Sequence, residues 1–170
     1  ENPVAIGRIL PYIPPDERGL VAAAFPQSVA VWGVTPGKSG ANATKWRRMQ
    51  VGDTTLLYRN KKFFYKATVA HKVHSRALAQ DLWSTKQDGS TWEYAFLLSD
   101  LEPIEIPIEV FNHAAGYAPN YIVQGFNVLQ PSLSERVAEE LGLGMNAGPV
   151  VIAGEPAAVG KKQGLLPEGP

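Results

Sequence analysis

The chain of 170 residues contains no cysteine. This absence excludes a disulfide framework, a cysteine-ligated metal site and a cysteine nucleophile, and it fits a reducing compartment, so we expect a cytoplasmic protein. No apolar run approaches the ~20 residues that a helix needs to span a bilayer. The N-terminal region also lacks a basic segment followed by an apolar stretch, so the sequence predicts neither a membrane partner nor a secretory signal.

The sequence also lacks the short motifs that mark common catalytic sites. The glycines around residue 35 do not form GxxxxGK(S/T) or GxGxxG, and HExxH, HxE…PCxxC and GxSxG are missing. His71 and His74 are three residues apart, but no further ligand accompanies them, which favours surface or hydrogen-bonding histidines over a metal site. We therefore expect that this chain is not itself an enzyme and that it uses no metal or cofactor.

What the sequence does contain is a strong segregation of charge. The net charge is zero, yet residues 38–86 hold eleven Lys or Arg and two acids, a net charge of +9. Residues 87–158 hold ten acids and one Arg, a net charge of −9. A basic half of this kind is typical of a surface that binds nucleic-acid phosphates. The alternative is that the strands carrying these residues merely have solvated outer faces.

Composition divides the chain into three parts. Residues 1–27 are rich in proline and are interpreted as an irregular N-terminal arm, with a short helix expected over 18–24. Residues 28–141 hold the periodic segments of one domain. Residues 142–170 are rich in Gly, Ala and Pro without apolar periodicity, which predicts a flexible linker or tail.

Apolar periodicity, capping residues and turn residues predict the elements of the central domain. In the first half of the domain we expect a strand at 29–34, a helix over 42–49 capped by Asn42, and a hairpin of strands 54–59 and 62–71 with its tip at Asn60-Lys61. After the hairpin we expect a helix at 75–81, strands at 91–99 and 101–108 and a helical turn at 109–114. The last element is a helix from Pro131 to about Leu141, capped by Ser132 or Ser134. This order predicts an α+β fold with a curved, barrel-like mixed β-sheet flanked by short helices.

Two of the four tryptophans fit a hydrophobic core. Trp92 alternates with Tyr94 and Phe96 along a predicted strand, which favours a buried position. Trp46 lies on the short basic helix, where a buried position is also favoured.

The other two tryptophans are candidates for a binding site. Trp83 precedes the polar segment 84–90, where we expect no core to require it, so its ring is a candidate contact surface. Trp32 lies in an apolar strand just before a loop of Gly, Ser and Lys. Two such rings can sandwich a planar base, and a base that is paired in a duplex must be flipped out to reach them.

The order and spacing of several segments, over about residues 28–112, resemble the YTH and EVE branch of the PUA-like superfamily. The segments are Val31-Trp32-Gly33-Val34, Gly52-Asp53 with Leu56-Leu57-Tyr58, residues 64–69, Asp81-Leu82-Trp83-Ser84 and Thr91-Trp92-Glu93-Tyr94-Ala95-Phe96-Leu97. The resemblance implies a small domain on a curved, barrel-like sheet that reads modified bases. YTH domains bind N6-methyladenine, and EVE-like prokaryotic members are fused to restriction nucleases.

The resemblance also implies roles for individual residues. Trp32 and Trp83 match the two cage tryptophans, and Trp92 matches a structural one. Because residues 84–90 contain no further tryptophan, a third wall would come from Tyr58 or Leu82. The full base-binding set is then Trp32, Trp83, Gly33, Ser39, Asn42, Tyr58 and Leu82. The basic residues expected to contact phosphates are Lys38, Lys45, Arg47, Arg48, Arg76 and Lys86.

Together these features predict a reader of a methylated base in double-stranded DNA. We expect N6-methyladenine first, and 5-methylcytosine or its hydroxymethyl form next. The domain would be the specificity module of a modification-dependent restriction endonuclease, with an HNH or similar nuclease in a fused or partner domain. The alternatives are a reader of modified RNA from the same superfamily, and a small-molecule enzyme or protein-interaction domain.

Overall fold

The computed structural model describes residues 3–123, 125–144 and 149–154. Within these ranges the chain forms seven strands and six α-helices, so the predicted α+β class is confirmed. The strands are β1 (Val4–Ala5), β2 (Ser28–Val34), β3 (Thr54–Arg59), β4 (Lys62–His74), β5 (Tyr94–Pro107), β6 (Phe126–Val128) and β7 (Val150–Gly154). The helices are α1 (Ile6–Ile9), α2 (Arg18–Ala24), α3 (Ala41–Arg48), α4 (Arg76–Trp83), α5 (Ile108–Ala115) and α6 (Pro131–Leu141).

The strands form one sheet in the order β1-β2-β5-β4-β3-β7-β6. The pairs β1–β2, β2–β5, β3–β4 and β6–β7 are antiparallel, and the pair β3–β7 is parallel. Over the described ranges the sheet is open, with β1 and β6 at its ends. The mixed sheet is as expected, whereas the barrel-like closure is not part of the described structure.

The chain divides into two compact units. The first contains described residues 3–44 and 70–99, and the second contains described residues from 45–69 and 100–154. β4 and β5 each contribute residues to both units.

The first unit is built on β2 and the first part of β5. Its largest core cluster consists of Ile9, Ile13, Val21, Val29, Val31, Val73, Leu78, Ala79, Trp83, Trp92, Ala95 and Leu97. The first three of these lie in the segment that the sequence marks as an irregular arm. That segment contains β1, α1 and α2, and α2 covers the residues 18–24 for which a helix was predicted. The buried side chains of the segment belong to the core of the first unit.

The second unit contains the predicted β3–β4 hairpin. Its tip residues Asn60 and Lys61 both have positive φ, 54° and 62°, as a two-residue type I′ turn requires. β7 pairs with β3 on one side and β6 on the other. Val150 and Val151 are fully buried, so a stretch of the expected linker is an interior strand.

β5 is one strand of fourteen residues rather than the two that the sequence predicts. β2 pairs with it only from Tyr94 to Leu98. In the described structure the β2 ladder stops at Leu98, so Pro103 does not interrupt that ladder. Asp100, with a φ of 53°, marks the change of conformation between the two parts.

Two predicted helix caps are wrong. α3 begins at Ala41, so Asn42 lies inside the helix, and the carbonyl oxygen of Pro36 accepts hydrogen bonds from the amides of Asn42 and Ala43. α6 has no side-chain cap. The hydroxyl of Ser134 instead donates to the carbonyl of Leu129 at 3.1 Å and accepts from the amide of Val150 at 3.0 Å, which ties α6 to β7.

Candidate functional site

Trp83 is the last residue of α4, not part of a polar loop. The hydroxyl of Ser75 caps the helix by accepting a hydrogen bond from the amide of Leu78 at 3.0 Å. The apolar face of the helix, Leu78, Ala79 and Trp83, packs into the first unit's core. Trp83 is only 4% exposed. The expectation that no core requires this ring is therefore wrong, because the helix runs two residues further than predicted and turns Trp83 inward.

The residue after Trp83 has a strained backbone. Ser84 has φ 67° and ψ −167°, a region that is populated almost only by glycine. Its amide still donates to the carbonyl of Gln80, which closes the last turn of α4. This conformation ends the helix abruptly and leads the chain into the exposed loop that follows.

The ring of Trp83 lies directly against Gly33 on β2. A Cβ atom placed on Gly33 would lie 2.6 Å from Trp83 Cζ3 and 2.7 Å from the carbonyl oxygen of Trp92. Real side chains do not make such contacts, so only glycine permits this packing. Trp83 and Trp92 meet edge to face, with ring centroids 6.5 Å apart. Gly33, Trp83 and Trp92 thus form one cluster, which we call the tryptophan cluster.

Trp32 is not part of this cluster. It pairs with Phe96 in a regular register, while its neighbour Gly33 pairs with Ala95. Successive residues of a strand point to opposite faces of the sheet, so Trp32 lies on the face opposite to the one that Trp83 covers. Trp32 is 1% exposed. The described structure therefore does not bring the two predicted cage rings face to face.

Two polar atoms, one in the tryptophan cluster and one on the preceding residue, have no hydrogen-bond partner among the described residues. Thr91 and Trp92 are 0% and 4% exposed. Within the described ranges neither the Thr91 hydroxyl nor the Trp92 Nε1 atom has a hydrogen-bond partner. Native proteins leave few buried polar groups unpaired, because each costs about 1–3 kcal/mol. An adjacent pair is therefore an unusual feature of this unit.

Two cations lie in the segment that runs from α4 to β5, which also contains Trp83 and Trp92. Lys86 Nζ lies 5.9 Å from the centroid of the Trp92 ring. Arg76, at the start of α4, donates from Nη2 to the carbonyl of Gly89 at 3.3 Å and so ties the loop to the helix. Both cations were predicted from the sequence as phosphate contacts.

A local turn orders the same loop. The Asp88 carboxylate accepts hydrogen bonds from the Ser90 hydroxyl at 2.6 Å and from the Ser90 amide at 3.0 Å. These bonds, the hydroxyl bond first, hold the pKa of Asp88 below its usual value of 3.8. The amide of Lys86 also donates to the carbonyl of Ser90.

Three further predicted residues follow β2 and also belong to the first unit: Lys38 and Ser39 lie before α3, and Asn42 lies within it. Lys38 and Ser39 are exposed, and Ser39 has a φ of 54°. Asn42 is half-buried, with Cγ 2.9 Å from the place where a Cβ of Gly37 would lie. The side chain of Asn42 thus packs against this turn.

The two candidates for a third wall lie in different units. Leu82 is partly buried against the same core as Trp83. Tyr58 belongs to the second unit, where it packs on Phe63 with centroids 5.0 Å apart. Burial, and then the negative charge of Glu109, raise the pKa of Tyr58. Only Leu82 packs against the hydrophobic core that contains Trp83 and Trp92.

Two basic residues of α3 hold the second unit together. Lys45 Nζ donates to the carbonyl of Phe126 at 3.1 Å, and Arg48 Nη2 donates to the carbonyl of Val128 at 2.9 Å. Both acceptors are on the end strand β6. Arg47, between them, is exposed. Lys45, Arg47 and Arg48 are all predicted phosphate contacts. Lys45 and Arg48 also have this structural role.

The charge segregation seen in the sequence is partly cancelled in the second unit. Lys62 Nζ lies 3.2 Å from a Glu105 carboxylate oxygen, and Lys66 Nζ lies 3.3 Å from one of Glu102. The basic residues of β4 thus meet acids of the neighbouring β5. For these residues the alternative interpretation holds, in which the charged side chains belong to solvated outer faces of strands. The basic surface is therefore smaller than the net charge of +9 over residues 38–86 implies.

A search of the described residues found no cluster of three His, Asp or Glu side chains that could ligate a metal ion. None of the described helices has the length and apolar character needed to cross a bilayer. Comparison with models of known protein families, with curated proteins and with solved structures gave no match.

Sequence reasoning missed Thr91 and the polar atom of Trp92. The sequence shows a tryptophan at the start of a strand, which correctly predicts a buried ring. Whether an indole N–H finds a partner depends on atoms that are distant in sequence, so no pattern along the chain could reveal it.

Proposed function

We propose that this chain is a nucleic-acid reader of the PUA-like, YTH/EVE kind that binds one methylated base flipped out of double-stranded DNA. The preferred base is N6-methyladenine, followed by 5-methylcytosine or its hydroxymethyl form. The reader would be the specificity module of a modification-dependent restriction endonuclease whose nuclease lies in a fused or partner domain. The tryptophan cluster, with its unpartnered indole N–H and two flanking cations, carries this proposal.

Trp83 is the ring on which the base would stack. Stacking of a base on an aromatic side chain contributes about 1–3 kcal/mol, and burying one methyl group adds about 0.8 kcal/mol. The methyl group therefore improves the affinity by roughly fourfold, because each 1.4 kcal/mol corresponds to a factor of ten. A base in an intact duplex cannot reach a ring at the end of α4, so the base must leave the helical stack.

Binding requires that the Trp83 ring move away from Gly33. A tryptophan buries about 150–250 Å², and at about 25 cal/mol per Å² its full exposure to water would cost roughly 4–6 kcal/mol. Stacking does not offset that cost, so the ring must stay covered. We infer that the base enters between the ring and Gly33 and replaces the lost contact. The strained backbone at Ser84 lowers the cost of this movement, because any relaxation there releases conformational energy.

The cations beside the cluster would hold the phosphates that flank the flipped nucleotide. Lys86 and Arg76 lie on the loop and helix that bracket Trp83 and Trp92. Contacts of this kind position the nucleic acid without reading its sequence. Exposed Lys38, which belongs to the same unit, would extend the phosphate contacts.

The test is a titration of the protein with matched duplexes. One duplex carries adenine at a central position, one N6-methyladenine, one cytosine and one 5-methylcytosine. We expect the N6-methyladenine duplex to bind several-fold more tightly than its unmodified match at every salt concentration. Equal affinity for both members of each pair would refute a methylated-base reader. A competing RNA of the same sequence that displaces the DNA would identify RNA as the natural ligand, because a protein that contacts 2′-hydroxyls prefers RNA.

A further inference from the structure

Thr91 and Trp92 present two buried polar groups that have no hydrogen-bond partner in the part of the chain that the structure describes. Both residues lie between the Lys86–Ser90 turn and β5, and Trp92 contacts Trp83 and Gly33. The Trp92 indole nitrogen can only donate a hydrogen bond, and the Thr91 hydroxyl can donate or accept. A protein that keeps such groups unpaired loses free energy in its empty state, and that free energy is regained when a ligand supplies the missing partner.

The chemistry of these groups restricts what can satisfy them. An indole N–H requires an acceptor, so a ligand group that is itself an N–H donor would face it without a hydrogen bond. The ring nitrogens of a purine and the carbonyl and ring nitrogen of cytosine are acceptors of the right kind. Phosphate oxygens are acceptors too, but a phosphate would be drawn to the cations Lys86, on the loop, and Arg76, on α4, rather than to a site between aromatic rings.

We propose that Trp92 Nε1 and the Thr91 hydroxyl form a subsite that reads an acceptor atom on the edge of the bound base. The inference rests on the proposed function, since it assigns the hydrogen bonds of the same base. The subsite is closed while Trp83 packs on Gly33 and opens when that ring moves. Because of this subsite, binding depends on an acceptor atom of the base as well as on the burial of its methyl group.

The experiment uses duplexes whose N6-methyladenine is replaced by its 1-deaza, 3-deaza or 7-deaza form. Each form exchanges one ring nitrogen for C–H and removes one acceptor. We expect one of the three to bind about tenfold more weakly than N6-methyladenine, the loss expected for about one hydrogen bond. Neither of the other two should bind more weakly than the parent duplex, and the 1-deaza form, which lacks the Watson–Crick acceptor N1, should bind more tightly unless N1 is the atom that is read.

Two substitutions identify the protein side of these bonds. Trp92→Phe removes the N–H, and Thr91→Val removes the hydroxyl with little change of shape. Each should weaken binding of the parent duplex by about three- to tenfold. For the deaza duplex that binds weakly, at least one of the two substitutions should cause no further loss of affinity, because the acceptor atom of the base is already missing.

The unfolding of the free protein gives an independent readout. Thr91→Val should leave the midpoint of thermal unfolding unchanged or raise it, because it removes a buried hydroxyl that has no partner. A merely structural threonine would show the opposite, a lower midpoint together with unchanged binding, and that result would overturn its role in the subsite.

The outcomes separate the two proposals. If the wild-type protein prefers the methylated duplex but binds none of the three deaza duplexes more weakly than the parent and both variants keep full affinity, the subsite is refuted and the reader function stands. If the wild-type protein shows no preference for any methylated duplex, both are refuted.

Discussion

The Trp83 ring and the α-carbon of Gly33 are in direct contact, and the space between them is too small for a single methyl group. A Cβ on Gly33 would lie 2.6 Å from Trp83 Cζ3 and 2.9 Å from Trp83 Cη2. The end of α4 is thereby fixed against β2. This contact decides where the ring rests in the empty protein, and it is the contact that a bound base would have to replace.

Gly33→Ala should destabilise the protein by about 1–3 kcal/mol, because the added methyl group overpacks the contact with Trp83 and the Trp92 carbonyl. Chemical denaturation measures the change in the free energy of unfolding. Gly19→Ala is the matched control. Gly19 lies in α2 with no atom within 4 Å of an added Cβ, so this substitution should stabilise by up to about 1 kcal/mol. Equal effects at both positions would show that Gly33 is not a packing requirement.

Trp83→Leu should abolish the preference for a methylated duplex and leave a salt-sensitive background affinity. Leucine keeps an apolar side chain in the core but offers no aromatic face. Trp32→Leu is the control, since Trp32 is equally buried but on the opposite face of the sheet. We expect similar losses of stability from the two substitutions and a loss of methyl preference from Trp83→Leu alone. Loss of the preference in both variants would instead support the two-ring slot that the sequence predicts.

Lys86→Gln and Arg76→Gln should each weaken binding to methylated and plain duplexes alike. Each should also reduce the slope of log affinity against log salt concentration by about one, because each removes one phosphate contact. Lys62→Gln is the control, since Lys62 already lies 3.2 Å from the carboxylate of Glu105. If Lys62→Gln changes the slope as much as the other two, the phosphate contacts lie elsewhere.

Arg48→Gln should lower the free energy of unfolding by about 1 kcal/mol, because it removes the hydrogen bond to the carbonyl of Val128. Arg47→Gln, one residue earlier and exposed, should stay within about 0.5 kcal/mol of the wild type. Thermal or chemical unfolding compares the two variants. A result in which Arg47→Gln is the more destabilising would contradict the role assigned to Arg48.

Ser90→Ala should raise the pKa of Asp88 toward 3.8, because the Ser90 hydroxyl bond is the main cause of its lowered value. A carboxylate with a lowered folded-state pKa stabilises the folded loop above its usual pKa, and that contribution disappears as the pH falls through the folded-state pKa. NMR titration of the Asp88 carboxyl carbon in both proteins measures the difference. An unchanged pKa in Ser90→Ala would mean that the backbone amide alone sets it.

Strong local signals in the sequence predicted much of the fold. β2, α2, the β3–β4 hairpin and α5 lie within a few residues of the expected ranges, because periodicity and turn residues such as Asn60-Lys61 act over short distances. The cap of α6 was mispredicted for the opposite reason, because the Ser134 hydroxyl accepts a hydrogen bond from the amide of Val150, sixteen residues away. The cap of α3 was mispredicted because a backbone carbonyl, that of Pro36, accepts from the first amides of the helix in place of a side chain.

The candidate site was harder to predict. The sequence predicts Trp83 as a base contact and Arg76 and Lys86 as phosphate contacts, and these roles stay predictions, but it described Trp83 as a ring that no core requires, whereas the ring is buried. The inward orientation of that ring depends on Gly33, fifty residues earlier in the chain, and no local pattern contains that information. Strand alternation predicts that Trp32 and Gly33 lie on opposite faces of the sheet. Which of the two faces α4 covers is known only from the structure.

The position of β7 has a consequence for the synthesis of the protein. β3 ends at residue 59 and its parallel partner begins at residue 150. At about 5–20 residues per second, the ribosome takes several seconds to deliver β7 after β3 has emerged. During that time one edge of β3 is unpaired and able to pair with strands of other nascent chains. Folding of the second unit is therefore completed only after translation has passed residue 154, and a chaperone that shields β3 until then would increase the yield of folded protein.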